Sequence, residues 1–117
     1  MALFKRNLIP LIHQGLKTHT RRTHKNEWKI GHTYKIKENY LDKGQGKILI
    51  TRRFKQQLGN ISLEDAKKEG FQTLEEFKSA WREINGNWNP NQTVTVYEFR
   101  LAAKTSKPSS ATASQRS

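Results

Sequence analysis

The chain has 117 residues, enough for one domain around one hydrophobic core. Apolar residues make up 33% of it, and it has no cysteine, which excludes disulfides and thiolate metal sites. Lys and Arg total 22 against 10 Asp and Glu, a net charge of +12 that favours a polyanionic partner.

The charge is uneven. Residues 1–60 carry 14 basic and 3 acidic side chains, a balance of +11, whereas residues 61–117 carry 8 and 7, a balance of +1. Neutralising phosphates releases counterions, so a concentrated basic half suits nucleic acid. The apolar stretch at residues 8–12 is too short to span a bilayer and has no signal-peptide character. A soluble, cytoplasmic protein is expected, with no membrane partner.

In chain order, residues 4–14 predict a short helix or helical turn. Leu8, Leu11 and Ile12 share one face, Pro10 suits a first turn, and Gly15 suits a left-handed stop. The alternation after Leu16 predicts a strand over 17–23. Gly31 opens a second over 32–38, with Tyr34 and Ile36 alternating against Thr33, Lys35 and Lys37. Gly44 and Gly46 mark a turn before a third strand over 47–57. Ser62 with Asp65 starts a helix over 62–69 that Gly70 ends. Thr73 with Glu76 forms a capping box for a helix over 73–84, its apolar face built from Leu74, Phe77, Trp81 and Ile84. After a loop over 85–92, residues 93–102 predict the clearest strand, with Val94, Val96 and either Tyr97 or Phe99 facing the core. The polar, low-complexity stretch 104–117 is expected to be a disordered tail, leaving 1–103 as the domain.

The stretch from Gly15 to Arg22 reads G-x-K-x-x-T-x-R. It resembles the signature of the ASCH family. Further elements resemble that family in order: Gly31 before a strand, Ser62 to Phe71 (SLEDAKKEGF), Thr73 to Trp81, and Val94 to Phe99. The similarity runs from about Leu8 to Leu101. It implies an α+β fold of the PUA-like type, a small β-barrel of about five or six strands with two or three short helices alongside. It also implies a role with RNA or a modified nucleoside. Some small members resemble an amidohydrolase that removes acyl groups from N4-acylated cytidine through a Lys, a Thr three residues later and a downstream Glu. The matching positions are Lys17, Thr20 and Glu69. These three recur across the family and do not by themselves separate hydrolases from binding modules.

Amide cleavage needs a nucleophile, a proton shuttle and stabilisation of the oxyanion. Thr20 supplies a hydroxyl, Lys17 a candidate base, and Glu69 either a second shuttle or a brace for Lys17. Residues 17 and 20 of a regular strand face opposite ways, so the motif requires a departure from strand geometry near Gly15. A free lysine titrates near 10.4, so a base role also requires burial or cationic neighbours. If Lys17 stays charged it is instead an electrophile or phosphate contact.

The basic residues Arg21, Arg22, Lys25, Arg52, Arg53 and Lys55 are the expected nucleic-acid contacts, with Arg22 equally suited to bracing the barrel. His13, His19, His24 and His32 show no ligand spacing and are expected at the surface, with no metal and no cofactor. Trp88 suits core packing beside Trp81 better than base stacking. Three readings follow: a monomeric amidohydrolase on N4-acylated cytidine, a non-catalytic RNA-binding module, and, third, a ribonuclease.

Overall fold

The computed structural model describes residues 1–102; the tail expected over 104–117 lies outside the described residues. Five strands form one mixed sheet: β1 (Ala2–Leu3), β2 (His19–Arg22), β3 (Thr33–Lys37), β4 (Lys47–Gln57) and β5 (Thr93–Leu101), in the order β1-β3-β4-β5-β2. Three helices accompany it: α1 (Ile9–His13), α2 (Leu63–Lys68) and α3 (Leu74–Asn85). The α+β class is as the sequence implies. The ladder does not run full circle, however. Strands β1 and β2 are the two edges, and a side chain rather than a backbone ladder links them: Arg22 Nη2 donates to the Leu3 carbonyl at 2.7 Å.

The long antiparallel pair β4–β5 forms the spine, running from Ile48 opposite Leu101 to Gln57 opposite Thr93, with an irregularity between Ile50 and Arg52. Thr51 is the extra residue there, and bulges of this kind bend a strand. β2 lies antiparallel on the other side of β5, with Thr20 opposite Tyr97 and Arg21 opposite Val96. β5 is covered on both faces, so Val94, Thr95, Val96 and Tyr97 are all buried and the expected alternation is lost.

The N-terminal segment departs from expectation. Residues 4–14 do not form one helix. Ala2 and Leu3 pair in parallel with Ile36 and Lys37, and Phe4 continues this by donating its backbone N–H to the Lys37 carbonyl at 2.9 Å. The helix is confined to Ile9–His13, with Pro10 in its first turn, where a missing N–H costs nothing. Both later helices begin as the caps predict. Ser62 and Asp65 close a reciprocal capping box. Thr73 accepts from the Glu76 N–H, while Glu76 reaches back to the N–H of Gln72 instead of that of Thr73.

The apolar residues fall into two clusters. One, under the sheet and α1, contains Phe4, Ile9, Ile12, Ile36, Ile48, Ile50, Tyr97 and Phe99. The other joins α2 and α3 to the far end of β5 through Leu58, Ala66, Phe77, Trp81 and Val94, with Trp88 packed against it. β5 alone contributes to both.

Candidate functional site

Between these clusters lies a cavity of about 500 Å³. One wall is polar and comes from β2, the residues just before it and the end of α2: Lys17, Thr20, Arg21, Arg22 and Glu69. The other is apolar and comes mainly from α3 and the residues before it: Phe71, Phe77, Ala80, Trp81 and Ile84.

Lys17 and Thr20 reach the same cavity because Lys17 is not in the strand. After the left-handed Gly15, the backbone N–H groups of Leu16 and Lys17 both donate to the Leu11 carbonyl, and β2 begins only at His19. Lys17 is buried, and its Nζ donates to the carbonyls of His19 at 3.0 Å and Glu69 at 2.6 Å. The Glu69 carboxylate is 3.6 Å away and the Phe4 ring centroid 5.6 Å. Burial pushes the Lys17 ammonium down to about 8; Glu69 opposes that shift, and Arg22 and Arg21 add to it. Lys17 therefore gives up its proton more readily than a free lysine does.

Glu69 is the C-cap of α2, where an acid opposes the helix dipole. Arg21 compensates. Its Nη1 donates to Glu69 Oε2 at 2.9 Å and its Nη2 to Gln56 Oε1 at 2.7 Å, with Asp65 at 3.5 Å. Asp65 and Glu69 lie one helical turn apart, so one guanidinium serves both. Gly70 follows at φ 104°, and a Cβ there would sit 3.2 Å from side-chain atoms of Leu8 and Leu11 and 3.6 Å from the Lys17 stem. Glycine at this position lets α1 and Lys17 close over the end of α2.

Thr20 is buried, and its hydroxyl oxygen accepts from Arg22 Nε at 3.1 Å. The hydroxyl proton remains free to donate. The Arg22 guanidinium lies 4.8 Å from the Phe4 ring centroid and 5.0 Å from that of Trp28. Burial lowers its pKa to about 10, against the pull of Glu69, so it stays cationic at neutral pH.

The six basic residues expected at a nucleic-acid face divide sharply. Arg21 is turned inward, its side chain 1% exposed, and offers no donor at the surface. Arg22 lines the cavity and braces β1 against β2. Lys25, Arg52, Arg53 and Lys55 are exposed and lie outside the cavity. Three of those four meet acids: Arg52 pairs with Glu98 at 3.0 Å, Lys55 with Glu27, and Arg53 with Glu27 at 3.9 Å. Two histidines are not at the surface as expected. His19 is buried with Nδ1 2.8 Å from the Thr18 hydroxyl, and His24 is half-buried, stacked on Tyr97 at 5.7 Å. Among the described residues no group of three or more His, Asp or Glu is placed to hold a metal, and no helix is long and apolar enough to cross a membrane.

Two residues of the cavity wall carry unpartnered polar atoms that sequence reasoning missed. His24 Nε2 and Trp81 Nε1 are buried without a hydrogen-bond partner, and both residues line it. The helical spacing of Trp81 identified a core residue but carried no sign of its unmet N–H.

No family model and no curated protein matches the sequence. Solved structures do match the fold. An ASCH domain from Lactobacillus crispatus is similar at 18% identity and a TM-score of 0.72, over 86% of this chain and 76% of that one. A DUF984 protein from Enterococcus faecalis is similar at 19% identity and a TM-score of 0.64, over 81% and 69%. The chain has the ASCH-domain fold.

Proposed function

We propose that this protein is an amidohydrolase that removes the acyl group from N4-acylated cytidine or a closely related nucleoside. The observation that carries this reading is the meeting of Lys17, Thr20 and Glu69 in one cavity, with Lys17 poised near neutrality by burial. The cavity volume is in the range of small-ligand sites, about 300–1,000 Å³.

In this reading the Thr20 oxygen attacks the acyl carbonyl as its proton passes to uncharged Lys17. Arg22, which already donates to the Thr20 oxygen, steadies it as its proton leaves, and the positive charge of its guanidinium lies beside the acyl oxygen, where the negative charge develops. The C–N4 bond then breaks, Lys17 returns its proton to the departing amine, and an acyl ester remains on Thr20. Water, deprotonated by Lys17, hydrolyses the ester to a carboxylic acid and frees Thr20. Lys17 Nζ is directed at two backbone carbonyls, so the proton path to Thr20 requires one bridging water or rotation of the lysine chain. Glu69, gripped by Arg21, orients Lys17 and balances its charge when it is protonated.

Incubation with N4-acetylcytidine followed by chromatography tests the proposal. Release of cytidine and acetate is expected; an unchanged nucleoside across pH 7 to 9 would overturn it. The charge balance of +11 in residues 1–60 favours a second reading, an RNA-binding module without turnover. That reading expects affinity for RNA to fall steeply with salt and the salt slope to shrink in Arg52→Ala/Arg53→Ala. Arg52, Arg53 and Lys55 already pair with Glu98 and Glu27, which weighs against these three as the RNA contacts.

A further inference from the structure

The two halves of β4 treat charge differently. In its second half Arg52, Arg53 and Lys55 each meet a carboxylate. At its start Lys47 meets none. Its direct neighbour across the ladder is another lysine, Lys35, and Arg100 lies diagonally from it, opposite Leu49. The adjoining Ile36, Ile48 and Phe99 are buried in the core, so strand alternation puts Lys35, Lys47 and Arg100 together on the outer face, where all three are exposed. Among the described residues none of the three has an acid partner, and residues 103–117 hold no Asp or Glu. Glu98, the acid nearest along β5, is taken by Arg52 at 3.0 Å. Like charges directly opposite each other destabilise a sheet, so an anion bound over them stabilises the folded protein.

The loop joining β3 to β4 extends this surface. A Cβ on Gly44 would sit 3.7 Å from Lys35 Cδ, so the loop packs along the Lys35 stem, and its Lys43 is exposed. Its acids are engaged, Glu38 with Arg6 at 2.9 Å and Asp42 with the N–H groups of Glu38 and Gly44. Tyr40 in the same loop is 73% exposed. Grooves and faces that hold single strands combine cations for the phosphates with an open aromatic ring for a base. We infer that the outer face of β3 and β4, through Lys35, Lys47 and Arg100 with Tyr40 in the adjoining loop, binds a single-stranded polynucleotide. A duplex has no free base face to offer Tyr40. A bilayer suits the surface less, because the residues among the cations are Thr33 and the half-buried Leu49, and the one loop leucine, Leu41, is a small anchor. None of these residues lines the cavity, so the surface is independent of deacylation.

The test uses the full chain and a fluorescein-labelled oligouridylate of about 12 nucleotides, with binding read by anisotropy across salt concentrations. Uridylate carries no N4 amine and so offers the cavity no acyl amide. Lys35→Gln/Lys47→Gln/Arg100→Gln should bind at least about tenfold more weakly and flatten the salt slope by about 2, since each phosphate contact on a single strand contributes about 0.7. Tyr40→Leu should also bind about tenfold more weakly, but with its slope unchanged, because no charge is removed. The triple variant should unfold at no lower a urea concentration than the natural protein, because a repulsion has gone. If it does not fold, Lys47→Gln alone should flatten the slope by about 0.7. A slope that stays the same in these lysine variants, or that falls as far in Arg52→Ala/Arg53→Ala, would overturn the inference. So would an absence of binding to the oligouridylate, with or without binding to phosphatidylserine vesicles.

Discussion

Two groups of arginine and lysine stand on either side of β5 and could hardly differ more. On β2 and just before it, Lys17, Arg21 and Arg22 are withdrawn from water, and their charges are answered by Glu69, by backbone carbonyls and by aromatic faces. On β4, Arg52, Arg53 and Lys55 extend into solvent and meet Glu98 and Glu27 there. Side chains of the same kind are energetically unequal in the two places. Removing one member of a buried pair strands a desolvated charge, whereas an exposed pair gains little over two hydrated ions. The exposed set sets the long-range field, and the buried set sets local chemistry.

The sharpest way to break that comparison is Arg21→Met. It leaves Glu69 and Asp65 without their shared guanidinium and should cost about 3–5 kcal/mol in urea unfolding. A loss below about 1 kcal/mol would place Arg21 with the exposed set.

Next comes pH. Folding lowers the Lys17 pKa from 10.5 to about 8. Between those values the unfolded chain binds the proton and the folded chain does not, so stability should rise with pH across this window. The penalty for a charged Lys17 is fully present below about pH 8 and amounts to about 3 kcal/mol. Comparing the pH dependence of unfolding for the natural protein and Lys17→Met isolates it; parallel curves would contradict it. Deacylation that uses Lys17 as a base should rise through about pH 8 and level off above it.

Thr20→Ala should lower kcat for N4-acetylcytidine at least about a hundredfold while changing nucleoside affinity little, as titration calorimetry would show. The smallest effects belong to the outer set. Arg52→Ala or Lys55→Ala should alter stability by less than about 1 kcal/mol, measured by thermal unfolding, and leave deacylation unchanged.

What the sequence discloses follows the range of the forces involved. The starts of α2 and α3 are legible because Ser62 with Asp65 and Thr73 with Glu76 make hydrogen bonds within one turn. β1 is not legible, since nothing local favours two residues as a strand; Ala2 and Leu3 are extended because Ile36 and Lys37 lie beside them. Lys17, Thr20 and Glu69 came from a resemblance in motif, and their presence in one cavity depends on the chain reversal at Leu11. Arg21 was misplaced for a plain reason. Strand alternation assigns it to a face but cannot reveal that the end of α2, carrying Asp65 and Glu69, covers that face.

β5 is the element that contributes to both apolar clusters, and the cavity is lined by residues of each. A ligand held there touches both, so it would act as a mechanical link between the helical layer and the sheet. In the free protein, amides of α2 and α3 can open with little disturbance to β4 and β5, and their hydrogen exchange should be the faster. With the cavity filled, the layers should open together, and exchange in the helices should slow toward that of the spine. The protein would then report occupancy through cooperativity, becoming one unfolding unit where it had been two.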